Sequence, residues 1–206
     1  MRTSAADLRD VRVMSADGGP ADDGGDRRGT TRFTILIRAA KLVHGDDEYI
    51  CVIRDASQSG VKLRLYNAVP SGVPLELELA NGERFPVEQV WSREGFGGFR
   101  FPDKVPLERL VEVDRGRFPN RKLRLRTDIT GTVHWGGANC AVTLENISQQ
   151  GAAMNCDAHL AIDQLVRLET SALPPIYAKV RWRKAPQYGL VFEHTLTFEE
   201  LARLAD

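Results

Sequence analysis

Apolar residues along this chain recur mostly at every second position. Phe33, Ile35 and Ile37 face away from Thr34 and Arg38, and the alternation returns at Val61, Leu63 and Leu65 and again at Leu75, Leu77 and Leu79. A period of two is that of a strand with one buried face. The runs Ala39 to Val43 and Tyr49 to Ile53 flank His44-Gly45-Asp46-Asp47-Glu48, a set of turn formers that predicts a hairpin. Asn81-Gly82 is a second hairpin signal ahead of Phe85 to Trp91, and a last strand near Gly98 to Phe101 follows the turn Gly95-Phe96-Gly97. Six or seven short strands at close spacing predict a small antiparallel barrel, which closes on itself and leaves few sheet edges. Pro106-Leu107-Glu108-Arg109-Leu110 then predicts one or two helical turns.

The pattern is duplicated. Asp55-Ala56-Ser57-Gln58-Ser59-Gly60 returns 91 residues later as Asn146-Ile147-Ser148-Gln149-Gln150-Gly151. Trp91, Gly98 and Phe101 return at the same offset as Trp182, Gly189 and Phe192. Two copies this long are tandem domains rather than solenoid repeats. The sequence therefore predicts an all-β protein of two tandem six-stranded antiparallel barrels, over 27–112 and 113–206, each followed by a short helix. In the second copy the first strand is expected over Lys122 to Ile129. The closing helix is expected over Thr197 to Leu204, where Thr197 and Glu200 have capping-box spacing and Phe198, Leu201 and Leu204 share a face. Trp91 and Trp182, each ahead of a Gly-x-x-Phe strand, are expected in the cores.

Composition narrows the function. Lys plus Arg and Asp plus Glu both number 28, so the chain lacks the global basic field of a non-specific nucleic-acid binder. Residues 1–26, rich in Ala, Asp and Gly, bury too little apolar surface to offset ordering and are expected to form a disordered tail. Three cysteines without a Cys-x-x-Cys pair suit free thiols in a reducing compartment. No apolar run approaches the roughly 18 residues that span a bilayer, and the N-terminus lacks a basic-then-apolar signal segment. A cytoplasmic protein without membrane insertion is expected. His44, His134, His159 and His194 show no metal-ligand spacing, and no nucleophile elbow, Walker-type loop or carboxylate pair points to an enzyme.

Candidate chemistry lies in the hexapeptides and the arginines ahead of them. A bare Asp/Asn-x-Ser-x-x-Gly is most often a turn, in which Asp, Asn or Ser bonds nearby backbone and Gly takes positive φ. It is also a polar platform with nothing bulky above it. Arg28 and Arg32 form an Arg-x3-Arg ending 23 residues before Asp55, and Arg117 and Arg121 form another ending 25 residues before Asn146, two residues out of strict register. A guanidinium fork matches phosphate oxygens, or O6 and N7 of a guanine, in bidentate fashion. The carboxylate of Asp55 or the amide oxygen of Asn146 can accept from the guanine's other edge.

On these motifs both halves resemble PilZ domains, bacterial receptor modules for cyclic di-GMP. The resemblance covers nearly all of 27–206. It implies six-stranded barrels with terminal helices, and an arginine segment that folds over cyclic di-GMP resting on the Asp-Ser-Gly surface. By that resemblance Arg28 and Arg32, with Arg27 auxiliary, would hold phosphate and guanine, Asp55 would take the guanine edge, Ser57 would hydrogen-bond nearby and Gly60 would keep the surface open. In the second copy these parts fall to Arg117, Arg121, Asn146, Ser148 and Gly151, with Arg124 and Arg126 competing for the second arginine role. The implied function is a non-catalytic cyclic di-GMP effector, without cofactor, that changes linker and interdomain conformation to control a partner protein. The alternative is a PilZ-like interaction module that has lost nucleotide binding in one or both copies.

Overall fold

The computed structural model of the protein describes residues 33–111 and 122–204; the tail expected over 1–26 lies outside them. Strand β1 (Phe33–His44) turns into β2 (Asp47–Ser57) through Gly45-Asp46, where Gly45 takes φ 59°, a conformation that glycine adopts without strain. Strands β3 (Gly60–Leu65), β4 (Leu75–Leu79), β5 (Arg84–Arg93) and β6 (Phe96–Arg100) complete a closed barrel in the order β1-β2-β3-β6-β5-β4, followed by helix α1 (Leu107–Val111). The alternating leucines behave as their period requires. Leu63, Leu65, Leu75, Leu77 and Leu79 point into one core with Phe85, Phe99 and Phe101, and Leu107 and Leu110 of α1 close it.

The second copy repeats the topology with one break. Its first strand is not continuous over Lys122 to Ile129: it forms β7 (Leu125–Arg126), then an irregular stretch, then β8 (Thr130–Trp135). Both pieces pair with β9 (Ala138–Ser148), so together they replace β1. Strands β10 (Gly151–Cys156), β11 (Leu165–Thr170), β12 (Ile176–Lys184) and β13 (Gln187–Phe192) follow, and pairing of β10 with both β9 and β13 closes a second six-stranded barrel. Helix α2 (Phe198–Ala202) is shorter than its sequence pattern, but its capping box forms as read: Glu200 N donates to Thr197 Oγ1 at 3.1 Å and Thr197 N donates to the Glu200 carboxylate at 2.8 Å. The three cysteines are free thiols.

The barrels are joined by side chains that no single-barrel pattern explains. Ile50 of β2 is fully buried, yet it belongs to the core of the second barrel. Tyr66 stacks obliquely on Phe198 at 5.6 Å between ring centres, and Asn67 donates to the Ala202 carbonyl at 2.8 Å. Beside them lies a buried ionic network. Lys41 Nζ reaches Glu48 Oε1 at 2.8 Å, Glu78 Oε1 at 3.1 Å and the Arg124 carbonyl at 3.2 Å. Glu48 in turn accepts from both Arg126 N and Arg126 Nε at 2.9 Å. Burial alone pushes the Glu48 carboxyl upward; the hydrogen bonds from Lys41 and Arg126 outweigh it and hold the group below its ordinary value.

Candidate functional site

Both hexapeptides are strand–turn–strand elements. Asp55–Ser57 ends β2, Gln58-Ser59 is the turn and Gly60 begins β3; Asn146–Ser148, Gln149-Gln150 and Gly151 repeat this between β9 and β10. The serines hold the hairpins: Ser57 Oγ donates to the Gly60 carbonyl at 3.2 Å, and Ser148 Oγ to the Gly151 carbonyl at 3.1 Å. The glycines are required for a reason other than positive φ, which neither adopts. A Cβ on Gly60 would collide with the Phe99 carbonyl of β6, and one on Gly151 with the Leu190 carbonyl of β13.

Around the first hexapeptide this construction leaves an open groove of about 350 Å³. Asp55, Ser57, Ser59 and Gly60 form its floor, with Lys62, Trp91 and Arg100 among its walls. Strand register explains the cations: Lys62 stands opposite Asp55, and Arg100 opposite Gly60. Asp55 Oδ1 is buried and has no hydrogen-bond partner among the described residues. A buried oxygen of this kind is costly to leave unpaired, so it marks a place where a donor belongs.

Trp91 corrects a core assignment. It is 36% exposed, and Trp182 is 41% exposed. Each lies across a glycine on the neighbouring strand, Trp91 on Gly98 and Trp182 on Gly189, where a Cβ would fall inside the indole. The Trp-x6-Gly repeat thus records a cross-strand clasp on the outside of each barrel. The guanidinium of Arg93 covers the Trp91 ring at 5.4 Å.

The second ledge differs. Its acceptor is taken, because Arg124 Nη1 donates to Asn146 Oδ1 at 2.5 Å. Its flanking cations are gone, because Ala153 stands opposite Asn146 and Val191 opposite Gly151. Arg27, Arg28, Arg32, Arg117 and Arg121 lie outside the described residues. Register nevertheless resolves which arginine of the second copy corresponds to Arg32. Phe33 pairs with Ala56 and Leu125 pairs with Ile147, so the residue before each strand is Arg32 in one copy and Arg124 in the other. Four residues before Arg124 stands Asn120, so the Arg-x3-Arg spacing is not kept in that register. Arg126 is committed to Glu48. Sequence reasoning overlooked Lys62 and Arg100 in the groove; the signal was there, in copy-to-copy differences at Lys62/Ala153 and Arg100/Val191.

Among the described residues no group of three or more His, Cys, Asp or Glu is placed to hold a metal ion, and no helix is long and apolar enough to cross a membrane. Among solved structures the chain is similar to the Borreliella burgdorferi PlzA protein in complex with c-di-GMP, with 12% identity, 86% of this chain and 93% of that one covered and a TM-score of 0.35. It is also similar to the Bacillus subtilis Inhibitor of motility (MotI/DgrA), with 14% identity, 82% and 94% coverage and a TM-score of 0.34. No curated protein matches the chain. The family model described as PilZ domain matches residues 114–206. These matched residues carry the second barrel.

Proposed function

We propose that the protein is a non-catalytic receptor for cyclic di-GMP that binds through its first barrel. The observation that carries this reading is the buried Asp55 Oδ1, which has no partner among the described residues and belongs to a residue lining a groove with Lys62, Arg100 and Trp91. The carboxylate offers an acceptor to a guanine N–H edge, the cations suit phosphate, and the exposed indole offers an apolar wall beside a base. Arg28 and Arg32, just ahead of β1, supply the remaining cations. The contact between Arg124 and Asn146 supports this geometry, since it shows an arginine at the register position of Arg32 meeting its own ledge. That same contact favours a second ledge satisfied by its own side chain, with one high-affinity site per chain.

The output we infer is interdomain. β1 runs from the ledge, where Thr34 pairs with Asp55, to the interface, where Lys41 bonds Glu48 and the Arg124 carbonyl. Clasping nucleotide at one end of this strand therefore bears on the charged network at the other. A ligand shifts such an equilibrium only through its differential affinity for the two arrangements.

Calorimetric titration of the full chain with cyclic di-GMP tests the binding, and small-angle scattering with and without ligand tests the output. Saturable binding that Asp55→Ala removes and Asn146→Ala leaves intact supports the first barrel. Binding that survives Asp55→Ala and is lost in Asn146→Ala overturns it. Unchanged scattering at saturation removes the interdomain output while leaving the receptor reading in place.

A further inference from the structure

The two copies have diverged most sharply on the outer face formed by their fourth and fifth strands and the edge of the sixth. In the first barrel this face is a solvated one. Glu88 stands opposite Arg100 and pairs with it, Glu76 pairs with Arg84, and Pro74 and Pro86 occupy the neighbouring positions. At the equivalent positions of the second barrel each of these residues is replaced. Glu88 becomes Lys179, Arg100 becomes Val191, Glu76 becomes Arg167, Pro74 becomes Leu165 and Pro86 becomes Tyr177. Strand pairing confirms the equivalence: Leu165, Lys179 and Val191 form one cross-strand row, and Arg167, Tyr177 and Glu193 the next.

The result is a mainly apolar row with Lys179 at its centre, and Arg167 and Glu193 at its margin. Leu165 is 59% exposed and Tyr177 55%, and Val191 is exposed as well. Lys179, surrounded by these three, has no acidic partner among the described residues, and neither does Arg181 two positions along β12. Arg167 is paired with Glu169.

We infer that this face of the second barrel is a docking surface for an acidic segment of another protein, one that brings a carboxylate to Lys179 and apolar side chains to Leu165, Tyr177 and Val191. Charge and shape select this occupant. Covering Lys179 with an apolar surface alone would strand a desolvated ammonium, so the partner must carry the complementary charge at the centre of the contact. A membrane-binding patch has the opposite layout, with apolar residues inserting and cations around the rim. A single-stranded nucleic acid could stack on Tyr177 but has no use for Leu165 and Val191, which flank Lys179. A second copy of this chain is the competing occupant, and self-association lost in Lys179→Glu without copolymer binding would overturn the inference in its favour. The inference goes beyond the nucleotide reading and does not rest on it, since none of these residues lies on the Asp55 ledge.

The test titrates a fluorescent random copolymer of glutamate and tyrosine with the full-length protein at physiological salt, alongside phosphatidylglycerol vesicles and an oligothymidylate. The copolymer is expected to bind the wild type, to lose at least about tenfold in affinity with Lys179→Glu and with Tyr177→Ser, and to be unaffected by Glu76→Gln on the first barrel. Far-UV circular dichroism confirms that these surface variants fold. Absence of copolymer binding, equal binding by Lys179→Glu, or preferential binding of vesicles or oligonucleotide through the same residues overturns the inference. Unchanged cyclic di-GMP titration of Lys179→Glu separates this surface from the ledge.

Discussion

The two hairpin ledges have the same fold, the same serine-to-glycine hydrogen bond and the same close approach of a glycine to the next strand, yet the residues flanking them differ. At the first, Asp55 has a buried oxygen with no partner among the described residues, and Lys62 stands opposite Asp55 and Arg100 opposite Gly60. At the second, the Asn146 oxygen is already bonded to Arg124, and Ala153 and Val191 replace the cations. The residues that build a ledge are therefore separable from those that use it. The family model matches the second copy, whereas the unspent binding chemistry lies in the first.

The largest effect expected from this contrast is on ligand affinity. Removing one partner of a desolvated charged contact costs on the order of 2 to 5 kcal/mol, or roughly 30-fold to several thousand-fold in dissociation constant. Asp55→Ala and Arg32→Ala are predicted to fall in that range by calorimetry with cyclic di-GMP, while Asn146→Ala and Arg124→Ala stay near wild type. Comparable losses from both pairs would erase the distinction between the ledges.

Next comes the network that joins the barrels. Glu48→Gln removes a carboxylate on which Lys41 and Arg126 converge, leaving Glu78 as the remaining acid for Lys41. Breaking a buried pair is expected to cost about 3 kcal/mol, measured as a lower urea midpoint. The sign with pH follows from the depressed carboxyl. Its contribution is fully present above the unfolded-state value near 4.5 and is lost as pH falls through the lower folded-state value. Glu48→Gln is therefore expected to flatten the acid limb of the stability profile; an unaltered limb would assign that slope elsewhere.

The tryptophan clasps give a smaller, paired effect. Gly98→Ala and Gly189→Ala each force an indole off its strand, at about 1 to 3 kcal/mol by overpacking, with a red shift of tryptophan emission. Only Gly98→Ala should also weaken cyclic di-GMP, because Trp91 lines the groove. Equal loss of ligand in both would contradict a binding site confined to the first barrel. Thr197→Ala, which removes the α2 cap, is expected to cost about 1 kcal/mol and leave ligand binding unchanged.

Most of the barrel was legible in the sequence. Alternation at Leu63, Leu65, Leu75, Leu77 and Leu79 specifies strands because a half-buried sheet has a period of two. The offset of 91 residues carries one topology into both copies. Capping-box spacing locates α2. The hexapeptides marked the strand–turn–strand ledges, because local chemistry is written in contiguous residues. What only the tertiary structure decided depends on residues distant in sequence. Burial of Ile50, Lys41 and Glu48 comes from a second barrel lying against the outside of the first, which one barrel's alternation does not encode. The place of Trp91 and Trp182 outside the cores follows from glycines across the sheet that admit an indole. The cations that flank each ledge were set by strand register, which puts Lys62 opposite Asp55 and Arg100 opposite Gly60 but Ala153 and Val191 at the matching places of the second copy. Pairing of this kind is fixed by closure of the whole barrel, so a linear pattern of residues does not contain it.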